Sequence, residues 1–155
     1  MEFSITRVNR DTVQLFDDMV FQRINERERS DNERKEMHDF NPIYEALDNE
    51  NLYVFAAQVK DKFVGWISIV YIPKISRTNE KGHLFIDELW VNPAFRKQGI
   101  ANALMEQAEA LSKEKALGLR LYVDPTNEEA VSLYKKFKYD FKFGTARFME
   151  KEWES

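Results

Sequence analysis

Asn92-Pro93-Ala94-Phe95-Arg96-Lys97-Gln98-Gly99-Ile100-Ala101-Asn102-Ala103-Leu104 is the stretch on which the fold turns. Asn92 and Pro93 stop an apolar strand pattern, and beyond Gly99 the residues Ile100, Ala103, Leu104, Ala108 and Leu111 recur at helical spacing with charge on the other face. A basic turn therefore joins a strand end to a helix start. Helix starts carry unpaired N–H groups and a partial positive charge, which suits phosphate. Gly99 and Ala101 lack bulky side chains and let backbone amides approach an anion, and Arg96 and Lys97 add charge. Strand, basic turn and helix also follow one another in proteins that bind nothing there, so this window alone leaves a structural and a functional reading open. Neither G-x-x-x-x-G-K-[ST] nor G-x-G-x-x-G occurs, which disfavours P-loop and Rossmann chemistry.

Working outward, His83 to Val91 reads as the strand before this turn, and Gly99 to Glu114 as the helix after it. Leu52 to Val59 and Phe63 to Tyr71 are β-branched and aromatic runs separated by Lys60, Asp61 and Lys62, the pattern of a hairpin, and Ile72 to Gly82 reads as a polar loop. Phe3 to Val8 predicts a first strand, and Asp11 an N-cap for a helix carrying Val13, Leu15, Phe16, Met19, Val20 and Ile24. Asn41 and Pro42 open a short helix ending near Leu47. Gln22 to Asp39 is dense in both charges with almost nothing to bury, and reads as an ion-paired solvated helix or a mobile loop, with a lid over a substrate cleft as the functional alternative. Leu117 to Val123 predicts a strand, Asn127 to Lys136 a helix, and Phe137 to Phe143 and Arg147 to Trp153 two closing strands.

The 155 residues show no repeat and no Pro- or Gly/Ser-rich linker, so one domain over 1–155 is expected. A chain of this length buries roughly 70% of its unfolded surface, enough for a core. With no cysteine, a disulfide scaffold, a thiolate metal site and a cysteine nucleophile are excluded, and two histidines, His38 and His83, supply histidine metal sites and Ser/His/Asp triads poorly. No metal is expected. The net charge of −4 argues against nucleic acid as a partner. No basic, apolar leader and no apolar run of about 18 residues is present, so a cytoplasmic protein without a membrane partner is expected.

Arg96-Lys97-Gln98-Gly99-Ile100-Ala101 matches [RQ]-x-x-G-x-[GA], and here the chain resembles the GNAT superfamily of N-acetyltransferases. Ile86 to Pro93 is similar to the superfamily's fourth strand, and Asn127-Glu128-Glu129-Ala130-Val131-Ser132-Leu133-Tyr134-Lys135-Lys136 to its N-x-x-A-x-x-L-Y-x-K helix. Three linked signatures in order carry the resemblance across Phe63 to Tyr139. Ala101 is the less common choice at its position, and Lys138 replaces a glycine that usually follows the helix as a C-cap.

The resemblance implies an α/β (α+β) fold: a mixed, mostly antiparallel sheet of about seven strands, splayed between strands 4 and 5 and flanked by helices on both faces. It implies acetyl-CoA as cosubstrate, with Leu89, Trp90 and Val91 along the pantetheine. Arg96, Lys97, Gln98, Gly99, Ile100, Ala101 and Asn102 would hold the pyrophosphate, Asn127 would hydrogen-bond the pantetheine arm, and Ala130 and Tyr134 would lie with it. It implies direct transfer of the acetyl group to a primary amine of a small molecule or peptide in a ternary complex. Tyr134 is then the proton donor; a core aromatic is the plain alternative.

For the base, Asp87 and Glu88 are adjacent on an expected strand, so they should point to opposite faces and only one should meet the cleft. The choice leans to Glu88, whose face Ile86 and Trp90 share; a surface ion pair is the alternative. Tyr122 stands where some relatives carry a glutamate and would line the amine pocket. The acidic balance points to a cationic acceptor such as a polyamine or aminoglycoside. Two other functions fit the same residues: an acyl-CoA sensor without catalysis, or an interaction domain forming a homodimer through Phe148 and Trp153.

Overall fold

Strand β1 (Ser4–Arg7) opens the chain in the computed structural model, which describes residues 1–75, 81–116, 118–142 and 147–154. Asn9, rather than Asp11, starts the helical segment that follows. Its Oδ1 accepts from the Asp11 N–H at 2.9 Å and its own N–H donates to Thr12 Oγ1 at 3.1 Å, which closes a 3₁₀ turn over Arg10–Thr12 and leads into α1 (Val13–Asn25). An asparagine that bonds the backbone two residues ahead turns the chain before Asp11 has an amide to cap.

The charged stretch is broken rather than one long helix. Glu26 takes a left-handed conformation (φ 55°) that ends α1, and α2 (Asp31–Arg34) is a single turn closed by a reciprocal Ser30–Glu33 capping box. Ion pairs do lace it: Arg27 to Glu33 at 2.7 Å, Arg29 to Asp17 and Asp18 at 2.6 and 2.7 Å, and Lys62 to Glu28. Helix α3 (Asn41–Leu47) begins with Pro42 in its first turn, where proline's missing N–H costs nothing.

The sheet runs β1-β2-β3-β4-β5, with β2 (Leu52–Val59), β3 (Lys62–Ile72), β4 (His83–Val91) and β5 (Leu119–Leu121). All neighbours are antiparallel except β4 and β5, which are parallel and joined by the crossover helix α4 (Ile100–Lys115). On one face Val54, Ala56 and Trp66 cluster with Val8 and Met19 under α1. The alternate residues Phe55, Ala57, Ile67 and Ile69 are also buried and point the other way, and α4 packs on β2, β3 and β4 with Leu104, Met105 and Ala108 fully enclosed. Gly65 lets β3 and β4 approach: a Cβ there would meet Trp90 O at 2.9 Å.

Five strands are present among the described residues instead of about seven. Phe137 and Lys138 complete the turn that ends α5 (Glu128–Lys136), and the described residues of 139–142 and 147–153 form no strand; Phe143 lies outside the described residues. Their side chains are largely exposed, Phe148 by 64% and Trp153 by 80%, and a short amphipathic run becomes a strand only when a ladder partner satisfies its backbone. Strand β5 is likewise shorter than 117–123, with Leu117 outside the described residues.

The chain divides into two units, Met1–Tyr122 with the whole sheet and Val123–Ser155 with α5. No described helix is long and apolar enough to cross a membrane.

Candidate active site

Strand β4 carries the geometry. Its parallel pairing with β5 covers Leu84, Phe85 and Ile86 and ends there, while β3 continues beside it to Val91. From Asp87 to Val91 one edge of β4 is therefore without a strand partner among the described residues. Backbone groups on such an edge are donors and acceptors ready for an extended chain.

That edge leads into the turn. Asn92 Oδ1 accepts from the Ala94 N–H at 3.0 Å and Arg96 Nε donates to Val91 O at 3.0 Å, so the basic loop is tied to the end of the strand. Lys97 (φ 61°) and Gly99 (φ 87°) both adopt left-handed conformations, which for Gly99 costs little and for Lys97 is strained. Gly99 at the N-cap of α4 has no side chain to cap it, and its carbonyl, the first internal acceptor, receives Ala103 N–H. The amides of Ile100, Ala101 and Asn102 are left without intrahelical acceptors. A Cβ built on Gly99 meets no heavy atom within 4 Å, so the turn faces open space, and buried Ile100 anchors it. A strand edge with open backbone groups that leads into a helix start suits an extended chain ending in an anion. Trp90 contributes differently from Leu89 and Val91: its ring packs on Trp66 at 5.3 Å.

On the α1 side of β4 lies a cavity of about 560 Å³. Phe16 and Val20 of α1, Ile43 and Leu47 of α3, and Val54 and Trp66 of the sheet give it apolar walls. Asp87 and Glu88 both line it, which corrects the expectation that only one would. The register between β3 and β4 slips between Ser68 and Ile69, so Ser68 faces Glu88 while Ile69 faces Ile86. Asp87 is the extra residue of a β-bulge, and a bulge breaks the alternation that would have sent the two carboxylates apart.

The carboxylates are not equivalent. Glu88 Oε2 accepts from Arg23 Nη1 at 2.5 Å, with 44% of its side chain exposed, and so is ion-paired rather than enclosed by Ile86 and Trp90. Arg23 also lies over the Trp66 ring, 5.0 Å from its centroid. Ser68 Oγ, on the rung opposite Glu88, is buried without a hydrogen-bond partner among the described residues. Tyr122 does not line this cavity; its ring meets Phe85 at 5.5 Å. His38 contacts Glu33 O and His83 contacts Arg120, both away from the cavity. Arg23, Ser68 and the α3 residues carried no motif.

The second unit holds the remaining expected residues. Asn127 caps α5, its Oδ1 accepting from the Ala130 N–H at 3.1 Å, which leaves its Nδ2 for other partners. Burial of the Tyr134 phenol pushes its pKa above 10. The helix ends in a Schellman motif: Tyr139 N–H donates to Tyr134 O, Lys138 N–H to Lys135 O, and Lys138 takes φ 67°. The rings of Tyr134 and Tyr139 meet at 6.1 Å, the apolar contact that accompanies such a cap. Among the described residues no group of acids and histidines is placed to hold a metal ion.

Solved structures share this fold at low identity. An aminoglycoside acetyltransferase from an uncultured soil metagenomic sample, in complex with trehalose, superposes with TM-score 0.77 at 20% identity, covering 97% of this chain and 96% of its own. AAC(6')-Iy in complex with a CoA-linked bisubstrate analogue gives 0.73 at 15%, covering 98% and 99%. A ribosomal-protein-alanine N-acetyltransferase from Brucella melitensis biovar Abortus 2308 gives 0.70 at 16%, covering 97% and 100%. No curated protein matches the chain. The profile of the Acetyltransferase (GNAT) family matches residues 17–139, a span that includes the open edge of β4, the basic turn and α5, and the chain belongs to that family.

Proposed function

We propose that the protein transfers an acetyl group from acetyl-CoA to a primary amine. The observation that carries this reading is the edge of β4 that has no strand partner among the described residues, which runs from two carboxylates at its bulge to the start of α4. Acetyl-CoA, when bound, supplies the thioester whose carbonyl carbon forms the new C–N bond as its C–S bond breaks and the thiolate leaves.

The amides of Ile100, Ala101 and Asn102, with Lys97 and Arg96 beside them, hold the pyrophosphate; Leu89 and Val91 offer backbone groups to the pantetheine, and Asn127 Nδ2 is a further donor. An aliphatic ammonium, with a pKa of about 10.4, must lose a proton before its nitrogen can attack. Glu88 already has its charge committed to Arg23, so Asp87 takes that proton, directly or through water. The lean toward Glu88 thus passes to its neighbour. The resemblance of its helix assigns Tyr134 to the departing thiolate as proton donor; a phenol is protonated at neutral pH, and burial favours that form further.

Thiol release from acetyl-CoA across a panel of amines tests the reading. Turnover with at least one amine, reduced about 100-fold or more in Asp87→Asn, is expected. Acetyl-CoA binding with no turnover on any amine would replace the enzyme by a sensor.

A further inference from the structure

The cavity between α1, α3 and the sheet offers a ligand little polarity. Four of its fifteen lining residues carry charged or hydroxyl side chains: Arg23, Ser68, Asp87 and Glu88. Arg23 and Glu88 neutralise each other at 2.5 Å. What remains for a ligand is one carboxylate, Asp87, and one buried hydroxyl without a partner among the described residues, Ser68 Oγ.

From this we infer that the cavity takes a small monoamine with an apolar body, its ammonium at Asp87 and its hydrocarbon against Phe16, Val20, Ile43, Leu47 and Val54. The inference rests on the amine-acetylating reading above and narrows its acceptor. The volume of about 560 Å³ suits a compact organic molecule. A polyhydroxylated aminoglycoside would bury hydroxyl and ammonium groups against hydrocarbon, and each one left unsatisfied weakens binding roughly tenfold or more. A polyamine would bring a second ammonium toward the Arg23 guanidinium and apolar walls. A peptide would carry backbone amides for which Ser68 alone has an answer. An apolar monoamine leaves none of these debts. Net acidity of the chain pointed toward polycations; the cavity lining points away from them.

The test uses the unmodified protein, n-alkylamines from propyl to octyl, 2-phenylethylamine, spermidine, kanamycin and an alanine-initiated tripeptide. Calorimetric titration without acetyl-CoA reads affinity, and thiol release with it reads transfer. Affinity should rise about fourfold per added methylene until the cavity is full. Spermidine, kanamycin and the peptide should bind at least tenfold more weakly than hexylamine. Ile43→Lys, a change at a partly exposed position of α3, should flatten the chain-length series while acetyl-CoA still raises the melting temperature. A flat series in the unmodified protein, or tighter binding of spermidine, kanamycin or the peptide, overturns the inference. A steep series without thiol release for any amine upholds the cavity's preference and sinks the catalytic reading, so the two fail separately.

Discussion

The two sides of β4 are built from different parts of the chain. Along its open edge and into α4 the groups proposed to bind are backbone amides and carbonyls within Asp87 to Asn102, one continuous segment. Across the sheet the cavity is assembled from side chains spread between Val8 and Glu88, on two helices and four strands or their flanks. Backbone sites need particular residues in order, because a left-handed glycine, an uncapped helix start and a strand that stops must follow one another. Side-chain cavities need only bulk and polarity at positions that folding brings together, and many sequences meet that need.

If the two sides are independent, their variants should separate. The largest effect is expected from Tyr134→Phe, which should lower kcat about 100-fold or more while acetyl-CoA stabilises the fold as before. Equal loss of acetyl-CoA binding in a thermal titration would show that Tyr134 holds the ligand rather than serving the reaction. Next, Arg96→Glu combined with Gly99→Asp should abolish the acetyl-CoA stabilisation, about 2.7 kcal/mol at a hundredfold excess over Kd, and leave amine affinity at the cavity unchanged. Loss of both in calorimetry would erase the division.

On the cavity side, Arg29 is only 8% exposed and bridges Asp17 and Asp18 of α1. Arg29→Ala leaves two partly buried carboxylates unpaired, and should cost about 1–3 kcal/mol in denaturant unfolding and raise KM for the amine, with acetyl-CoA affinity unaffected. In the second unit Lys138→Gly should add about 1 kcal/mol by relieving a left-handed lysine, measured the same way, without changing either ligand's binding.

The smallest effect belongs to the charged segment. Arg27, then the Ser30 amide and hydroxyl, hold the Glu33 carboxyl down to about 2. A carboxylate whose folded pKa lies below its unfolded value contributes above the unfolded value and loses that contribution as pH falls through the folded one. The Ser30–Glu33 turn should therefore persist at pH 4.5 and loosen only toward pH 2, read from the Glu33 resonance. A midpoint near 4.5 would mean that the capping box does not hold in solution.

The same contrast explains what was legible beforehand. Strand β4, helix α4, the β2–β3 hairpin and α5 were readable because periodicity and stop signals are local, and the resemblance ran through those segments. Lys138 in place of the usual glycine meant a cap that must tolerate a side chain, and Lys138 takes the left-handed conformation there. The bulge at Asp87 was not readable, because it depends on how β3 pairs with β4, and the assumed alternation sent its acids to opposite faces. Arg23 was hidden for the same reason: its pairing with Glu88 spans 65 positions. The two closing strands were expected from alternation alone, which cannot supply the ladder partner that a strand requires.

Amide hydrogen exchange with and without acetyl-CoA tests the central claim most directly. Slowed exchange concentrated at the open edge of β4 and at Gly99 to Ala103, with the α1 and α3 walls unaffected, is the predicted result. Unchanged exchange at those amides under saturating acetyl-CoA would contradict it.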